Sequence, residues 1–163
     1  MLSLIVAASE NNIIGNGGDM PWMIRSDLQR FQRLTKGHVV VQGRKTLESI
    51  IRQNGRPLPG RQNYVISRSQ VDIDGVTIIC SNALSRLSAL PDEVFVIGGG
   101  EIYRLALPWA QRVYLTRVHA SVEGDVTFPD LPEAEWRLIG KPERYSASTN
   151  DQYPFSYFLY ERL

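Results

Sequence analysis

The chain opens on Leu2 to Ala8, apolar at nearly every position and followed at once by polar residues, which is the pattern of a buried strand. Residues 9–24 carry Asn11-Asn12, Gly15, Asn16-Gly17-Gly18 and Pro21. They predict a long irregular loop, and loops of that length usually carry function. Ser26, with Gln29 three places on, reads as the N-cap of a capping box. The helix it starts should run to Thr35 and stop at Gly37. His38 to Gln42 reads as a second strand, and Arg44 to Ile51 as a short helix. Asn54-Gly55 and Pro57-Leu58-Pro59-Gly60 mark another irregular stretch.

Further strands are expected at Tyr64 to Ser67, Val76 to Cys80, Val94 to Ile97 and Val113 to Val118. Helices are expected over residues 83–90 and from Glu101 to Leu107. From Trp136 onward the tail alternates polar and apolar residues, as two antiparallel strands would. Strands alternating with helices predict an α/β fold with a central, mostly parallel sheet of about eight strands, flanked by about four helices. An antiparallel strand at the C-terminus should complete it.

Composition narrows the class. At 163 residues, 43% hydrophobic, the chain is expected to be one domain, 1–163, with a core of its own. A net charge of +1 gives no footprint for nucleic acid. The N-terminal apolar run is too short to span a membrane and lacks a basic leader, so a cytoplasmic protein is expected. The lone Cys80 reads as a thiol packed in or near a strand, and it cannot form an intramolecular disulfide. His38 and His119 have no carboxylate at ligand spacing, so no metal is expected. Asp72-Ile73-Asp74-Gly75 starts like a calcium loop but does not continue as one, and reads as a turn.

Candidate chemistry lies after the strands, where open α/β sheets bind ligands. Gly43-Arg44-Lys45-Thr46 and Gly98-Gly99-Gly100-Glu101 are both glycine-to-helix junctions. Backbone N–H groups and the helix dipole at such a junction favour an anion. Ser67-Arg68-Ser69 adds a cation and two hydroxyls. Together these suit a diphosphate and one further phosphate, which favours NADPH over NADH. The triple glycine is not the G-x-G-x-x-G fingerprint of the standard dinucleotide fold. Asp27 shares a helix face with Phe31 and Leu34, beside Leu28. Desolvation would raise its pKa and the helix N-terminus would lower it. If desolvation wins, Asp27 can donate or relay a proton near neutral pH.

Taken in order, the segments resemble the dihydrofolate reductase family along nearly the whole chain. They are Leu4-Ile5-Val6-Ala7, Ile14-Gly15, Met20-Pro21-Trp22, Asp27-Leu28-x-x-Phe31, Gly43-Arg44-Lys45-Thr46 and Arg56-Pro57-Leu58-Pro59-Gly60-Arg61. Val96 to Tyr103, Tyr114-Leu115-Thr116 and Glu123 to Pro129 continue the series. The resemblance implies reduction of 7,8-dihydrofolate to tetrahydrofolate, with hydride passing from NADPH to pterin C6 and a proton to N5. It implies that Asp27 binds the pterin's 2-amino group and N3 and promotes N5 protonation, with Trp22 and Thr116 holding the hydrogen-bond network around it. Ile5, Val6, Ala7, Leu28, Phe31, Ile50, Leu58 and Ile97 would line the substrate site, and Arg61 would pair with the glutamate α-carboxylate.

On the cofactor side the resemblance implies Arg44, Ser67, Arg68 and Ser69 at the 2′-phosphate. Thr46 and the backbone of Gly99, Gly100, Glu101 and Ile102 would hold the diphosphate, with Gly43, Lys45 and Gly98 as further cofactor contacts. Tyr103, Ala7, Ile14, Gly15, Met20 and Thr127 would lie along the rest of the cofactor. The family's cis peptide would fall at Gly98-Gly99, its lid on the 9–24 loop, and Asp125 would brace that lid. Implied ligands are dihydrofolate and antifolate inhibitors, with the chain a monomer that binds neither nucleic acid nor membrane. The chain departs from the family pattern at Leu47, often aromatic, at Gln32, often basic, and at Gln42, usually apolar, where a polar group needs a partner. About four additional residues fall near Ile51 to Asn54. A sibling reductase acting on a pyrimidine, and a ligand-binding protein without turnover, are the competing readings.

Overall fold

The computed structural model describes residues 1–163. Ten strands occur in chain order: β1 (Leu2–Ser9), β2 (Ile13–Gly15), β3 (Val39–Gly43), β4 (Gln62–Ile66), β5 (Val76–Ile79), β6 (Val94–Gly98), β7 (Arg112–Val118), β8 (Val126–Thr127), β9 (Trp136–Tyr145) and β10 (Phe155–Arg162). Eight of them form one sheet in the order β5-β4-β3-β6-β1-β7-β10-β9. Every pairing from β5 across to β7 is parallel, while β10 runs antiparallel to both β7 and β9. The expected mixed sheet with an antiparallel C-terminal strand is therefore present.

The pleat of β1 divides the molecule. Leu2, Leu4, Val6 and Ala8 join the main core, which α3 (Ala83–Ser88) and α4 (Gly100–Ala106) cover through Leu84, Leu87, Ile102, Tyr103 and Ala106. Ile5 faces the other way and packs with Val40, Phe95 and Leu58, on the side that carries α1 (Arg25–Thr35) and α2 (Arg44–Asn54). That second cluster has only four buried members. Phe31, Leu34, Ile50, Ile97 and Tyr114 pack against it while keeping part of their surface exposed. A core left open on one side in this way is an apolar cleft.

Four local expectations need correction. The 9–24 loop is not irregular throughout, because β2 pairs antiparallel with β8. Neither strand is long enough to show a period in sequence. Cys80 lies just past the end of β5 and is exposed, not packed. The helix α2, which Gly43 opens at the end of β3, runs past Ile51 to Asn54 and ends on Gly55 in the left-handed conformation. The four additional residues are thus about one more helical turn. From that turn Arg52 and Gln53 reach Asp19 of the 9–24 loop at 3.4 and 3.3 Å.

The fourth correction is at the start of α1. Ser26 is not its N-cap; Ile24 holds that position, without a side-chain cap. The acceptor for the first turn comes from far along the chain. Asp151 accepts the Ser26 N–H at 2.9 Å and the Ser26 hydroxyl at 2.7 Å. Burial alone would raise the Asp151 pKa, but the hydrogen bonds from Ser26, Ser148 and the Arg25 backbone outweigh it and hold the pKa below the usual value. Replacing Asp151 by Ala should cost about 1–2 kcal/mol, the usual contribution of a cap. A depressed pKa means this stability is present above the unfolded value and is lost as pH falls through the folded one. Urea unfolding of parent and variant at pH 7 and pH 3 checks both points: the gap should be open at pH 7 and narrower at pH 3.

Candidate active site

Asp27 lies in the first turn of α1, at the open side of the second cluster. Its Oδ1 accepts a 2.6 Å hydrogen bond from Thr116 Oγ1 on β7. The side chain is half-buried, and its other oxygen is free to meet a ligand. Burial is the dominant influence and raises the Asp27 pKa; Thr116 and Arg30 oppose it and Asp151 adds to it. Desolvation outweighs the Thr116 hydrogen bond and the Arg30 charge. Arg30, nearly one helical turn on, is drawn away over the Tyr157 ring, 3.8 Å from its centroid. The Tyr157 hydroxyl is itself pushed up to about 12, by burial first and the Asp27 charge second.

Trp22 is 5% exposed and packs with Ile24, Val118 and Phe155, with Ala7 against the same group. Ile5, Phe31, Ile50, Leu58 and Ile97 all belong to the half-open cluster, and Leu28 is half-buried on the same helix as Asp27. Val6 is placed differently: its side chain is in the main core on the other face of β1, so only its backbone is on the cleft side. Alternation along a strand carries that signal, since Ile5 and Ala7 cannot share a face with Val6.

Arg61 is held as a fork with part of its capacity spare. Nε and Nη2 donate to the Pro59 carbonyl at 2.9 and 2.7 Å, and Nη1 donates to Thr35 Oγ1 at 3.2 Å. A guanidinium has five N–H donors. Three are used, which leaves one on each terminal nitrogen. Burial draws its pKa down from the ordinary value.

The two glycine-to-helix junctions touch. Gln42 on β3 is in register with Gly98 on β6. A Cβ on Gly43 would lie 2.9 Å from Ile102 Cγ1, and one on Gly99 would lie 3.4 Å from Thr46 Oγ1. A side chain at position 43 would push Ile102 aside, so glycine there lets α2 and α4 start close together. The peptide Gly98-Gly99 is cis. Neither helix start has a side-chain cap, so backbone N–H groups at both remain available. Beyond the end of β4, Arg44 Nη1 donates to Ser69 Oγ at 2.8 Å and the Ser67 hydroxyl donates to the Ser69 carbonyl at 2.9 Å. Arg44 also pairs with Glu48 at 2.9 Å. Arg68, Lys45 and Glu101 are exposed and are not drawn into this group.

The remaining expected cofactor residues fall around the loop. Ile14 and Gly15 are on β2, Thr127 is on β8 and accepts from Arg104 at 3.0 Å, and Met20 is exposed. Asp125 Oδ2 accepts the Gly17 N–H at 3.3 Å, and its own N–H donates to the Gly15 carbonyl. Tyr103 is buried, with its hydroxyl donating to the Ile5 carbonyl at 2.7 Å and its ring against Gly98. Burial pushes that hydroxyl's pKa far up, so it stays a neutral donor. Asp151 and Asn63 have no local signature, because each acts through a partner that only the fold supplies.

A half-buried acid in an open apolar cleft, beside two touching anion-accepting junctions, defines an α/β enzyme built for a nucleotide cofactor and a flat polar substrate. Comparison with known proteins narrows this. The dihydrofolate reductase family profile matches residues 1–162. Dihydrofolate reductase of Bacillus subtilis is 37% identical over 164 residues, covering 99% of this chain and 95% of that protein. Dihydrofolate reductase type 3 of Salmonella typhimurium is 44% identical over 141 residues, covering 85% of each. Among solved structures, dihydrofolate reductase from Enterococcus faecalis, complexed with NADP(H) and RAB-propyl, superposes with a TM-score of 0.86 at 27% identity, covering 99% of this chain and 96% of that one. The chain belongs to the dihydrofolate reductase family.

Proposed function

We propose that the chain reduces 7,8-dihydrofolate to 5,6,7,8-tetrahydrofolate with NADPH as reductant, and that Asp27 is its key acidic group. The observation that carries the reading is the Asp27 carboxyl, raised in pKa by burial and hydrogen-bonded by Thr116 at the mouth of an apolar cleft. A carboxylate there can accept from adjacent N–H groups of a pterin, and a pKa raised by burial favours a part in proton transfer. Trp22 and Thr116 complete the polar end of the cleft. Ile5, Leu28, Phe31, Ile50, Leu58 and Ile97 exclude water from the ring, and Arg61 takes the glutamate α-carboxylate on its two spare donors.

The residues present fit NADPH. The touching junctions at Gly43 and Gly99, with Thr46 between them, offer N–H groups and a hydroxyl to a diphosphate. Arg44, Ser67 and Ser69 already form one cluster that an additional phosphate can join. When bound, NADPH supplies the hydride for pterin C6. The chain's own work is to hold the pterin edge at Asp27, keep the cleft dry and pass a proton toward N5. Residues 1–163 act as one domain and as a cytoplasmic monomer; no helix is long and apolar enough to cross a membrane.

Absorbance-followed NADPH oxidation, with dihydrofolate added to the purified protein, tests the reading. Rapid oxidation is expected; oxidation only with a pyrimidine substrate, or none at all, would overturn it. Arg44→Ala should raise KM for NADPH about tenfold, the contribution of one charge-assisted contact, and leave KM for NADH nearly unchanged. Equal changes for both cofactors would remove Arg44 from the 2′-phosphate site.

A further inference from the structure

We infer that Gln42 and Asn63 form a buried clamp that positions Arg61, and so tunes recognition of the substrate's carboxylate tail. The inference rests on the reading of Arg61 as the anchor of that tail. Gln42 is fully buried and Asn63 is 4% exposed. Gln42 Nε2 donates to Asn63 Oδ1 at 3.1 Å. Asn63 Nδ2 donates in turn to the carbonyls of Leu58 and Arg61, at 2.9 and 3.2 Å. The other two carbonyls of this segment are also taken, Pro59 by the Arg61 guanidinium and Gly60 by the Gly37 N–H at 2.9 Å. All four carbonyls from Leu58 to Arg61 therefore have a protein donor, and Asn63 serves two of them.

Gln42 is poorly explained by its own satisfaction. Its Oε1 is the one buried side-chain nitrogen or oxygen without a hydrogen-bond partner. An apolar side chain of the same length would leave nothing unpaired at this position. What it would remove is the donor to Asn63 Oδ1. With that oxygen engaged, the Asn63 amide must turn its NH2 group toward the two carbonyls. With it free, the amide can rotate and the carbonyls lose their shared donor. The segment that loosens holds Leu58 in the cleft wall and Pro59, the main anchor of the Arg61 fork. The two amides act through that segment and not on the pterin or the phosphates, so Gln42 and Asn63 are positioning residues.

The test compares parent, Gln42→Met and Asn63→Leu with two substrates: dihydrofolate and 6-methyl-7,8-dihydropterin, which has no glutamate tail. Gln42→Met should fold with a Tm close to the parent's, since it removes one unpaired buried oxygen at Gln42 and leaves another at Asn63. Its KM for dihydrofolate should rise about three- to tenfold, as expected from a weakened charge-assisted contact. Its kcat should stay within about twofold, and its KM for the tail-less pterin, which this segment reaches only through Leu58, should change by clearly less than its KM for dihydrofolate. Asn63→Leu should show a larger change in the same pattern; if it does not fold, Gln42→Met decides. No change in the dihydrofolate KM, or an equal change for both substrates, overturns the clamp. A readout free of activity is the Arg61 Nε–H resonance, which should be slow to exchange in the parent and faster in Gln42→Met; equal exchange also overturns it. A parent that oxidises NADPH with neither pterin would instead overturn the functional reading, and the resonance would still judge the clamp.

Discussion

Asp27→Asn is expected to slow turnover at pH 7 by about 10²–10⁴-fold, the usual contribution of a positioned acid–base group. NADPH binding should persist, because none of the phosphate-site residues touches Asp27. Part of the rate should return at low pH, where the substrate carries its own proton. The same variant should be more stable than the parent at high pH. Burial raises the Asp27 pKa despite the Thr116 hydrogen bond and Arg30. The native state then binds more protons than the unfolded state between the two pKa values, so stability falls as pH rises from about 3.9 through the folded value. Above the folded value the whole penalty stands, and an amide at 27 removes it. Melting curves should show the variant ahead of the parent at pH 8 and level with it near pH 3. Full activity in the variant would sink the assigned role, and a variant no more stable at pH 8 would mean that burial of the charge costs little.

What was legible in the sequence follows from the range of each interaction. The continuous apolar run of β1, the glycines that end β3 and β6, and the alternation in β10 are local patterns, and each predicted its element within a few residues. Asp27 was legible for the same reason, since Phe31 and Leu34 place its helix face within one window. The cap on α1 was not. Ser26 and Gln29 satisfy a local rule, but Asp151 supplies a stronger acceptor from 125 residues away, and the helix begins at Arg25, ahead of Ser26. β8 escaped because two residues carry no period. A sequence motif groups Val6 with its cleft-facing neighbours, while the pleat sends neighbours to opposite faces. A polar Gln42 in an apolar strand signals a partner but does not point to Asn63, which lies on a different strand.

Arg61 carries the second large effect, and here charge and shape can be separated. Arg61→Leu should raise KM for dihydrofolate by about 10²-fold, near the upper contribution of a hydrogen-bonded charge pair. Arg61→Lys keeps the positive charge but has three donors on one nitrogen, in place of a planar fork. It cannot hold Pro59 and Thr35 as the guanidinium does and still offer two parallel donors to a carboxylate. Lysine should therefore recover only part of the loss. Neither change should alter KM for a tail-less pterin, since Arg61 lies outside the group formed by Asp27, Thr116 and Trp22. Raising ionic strength should weaken tail recognition less in the parent than in Arg61→Lys, because a half-buried, bidentate pair is screened less than an exposed point charge. If lysine matched arginine in KM at every salt concentration, attraction alone would suffice, and the anchoring of the fork by Pro59 and Thr35 would have no part in recognition.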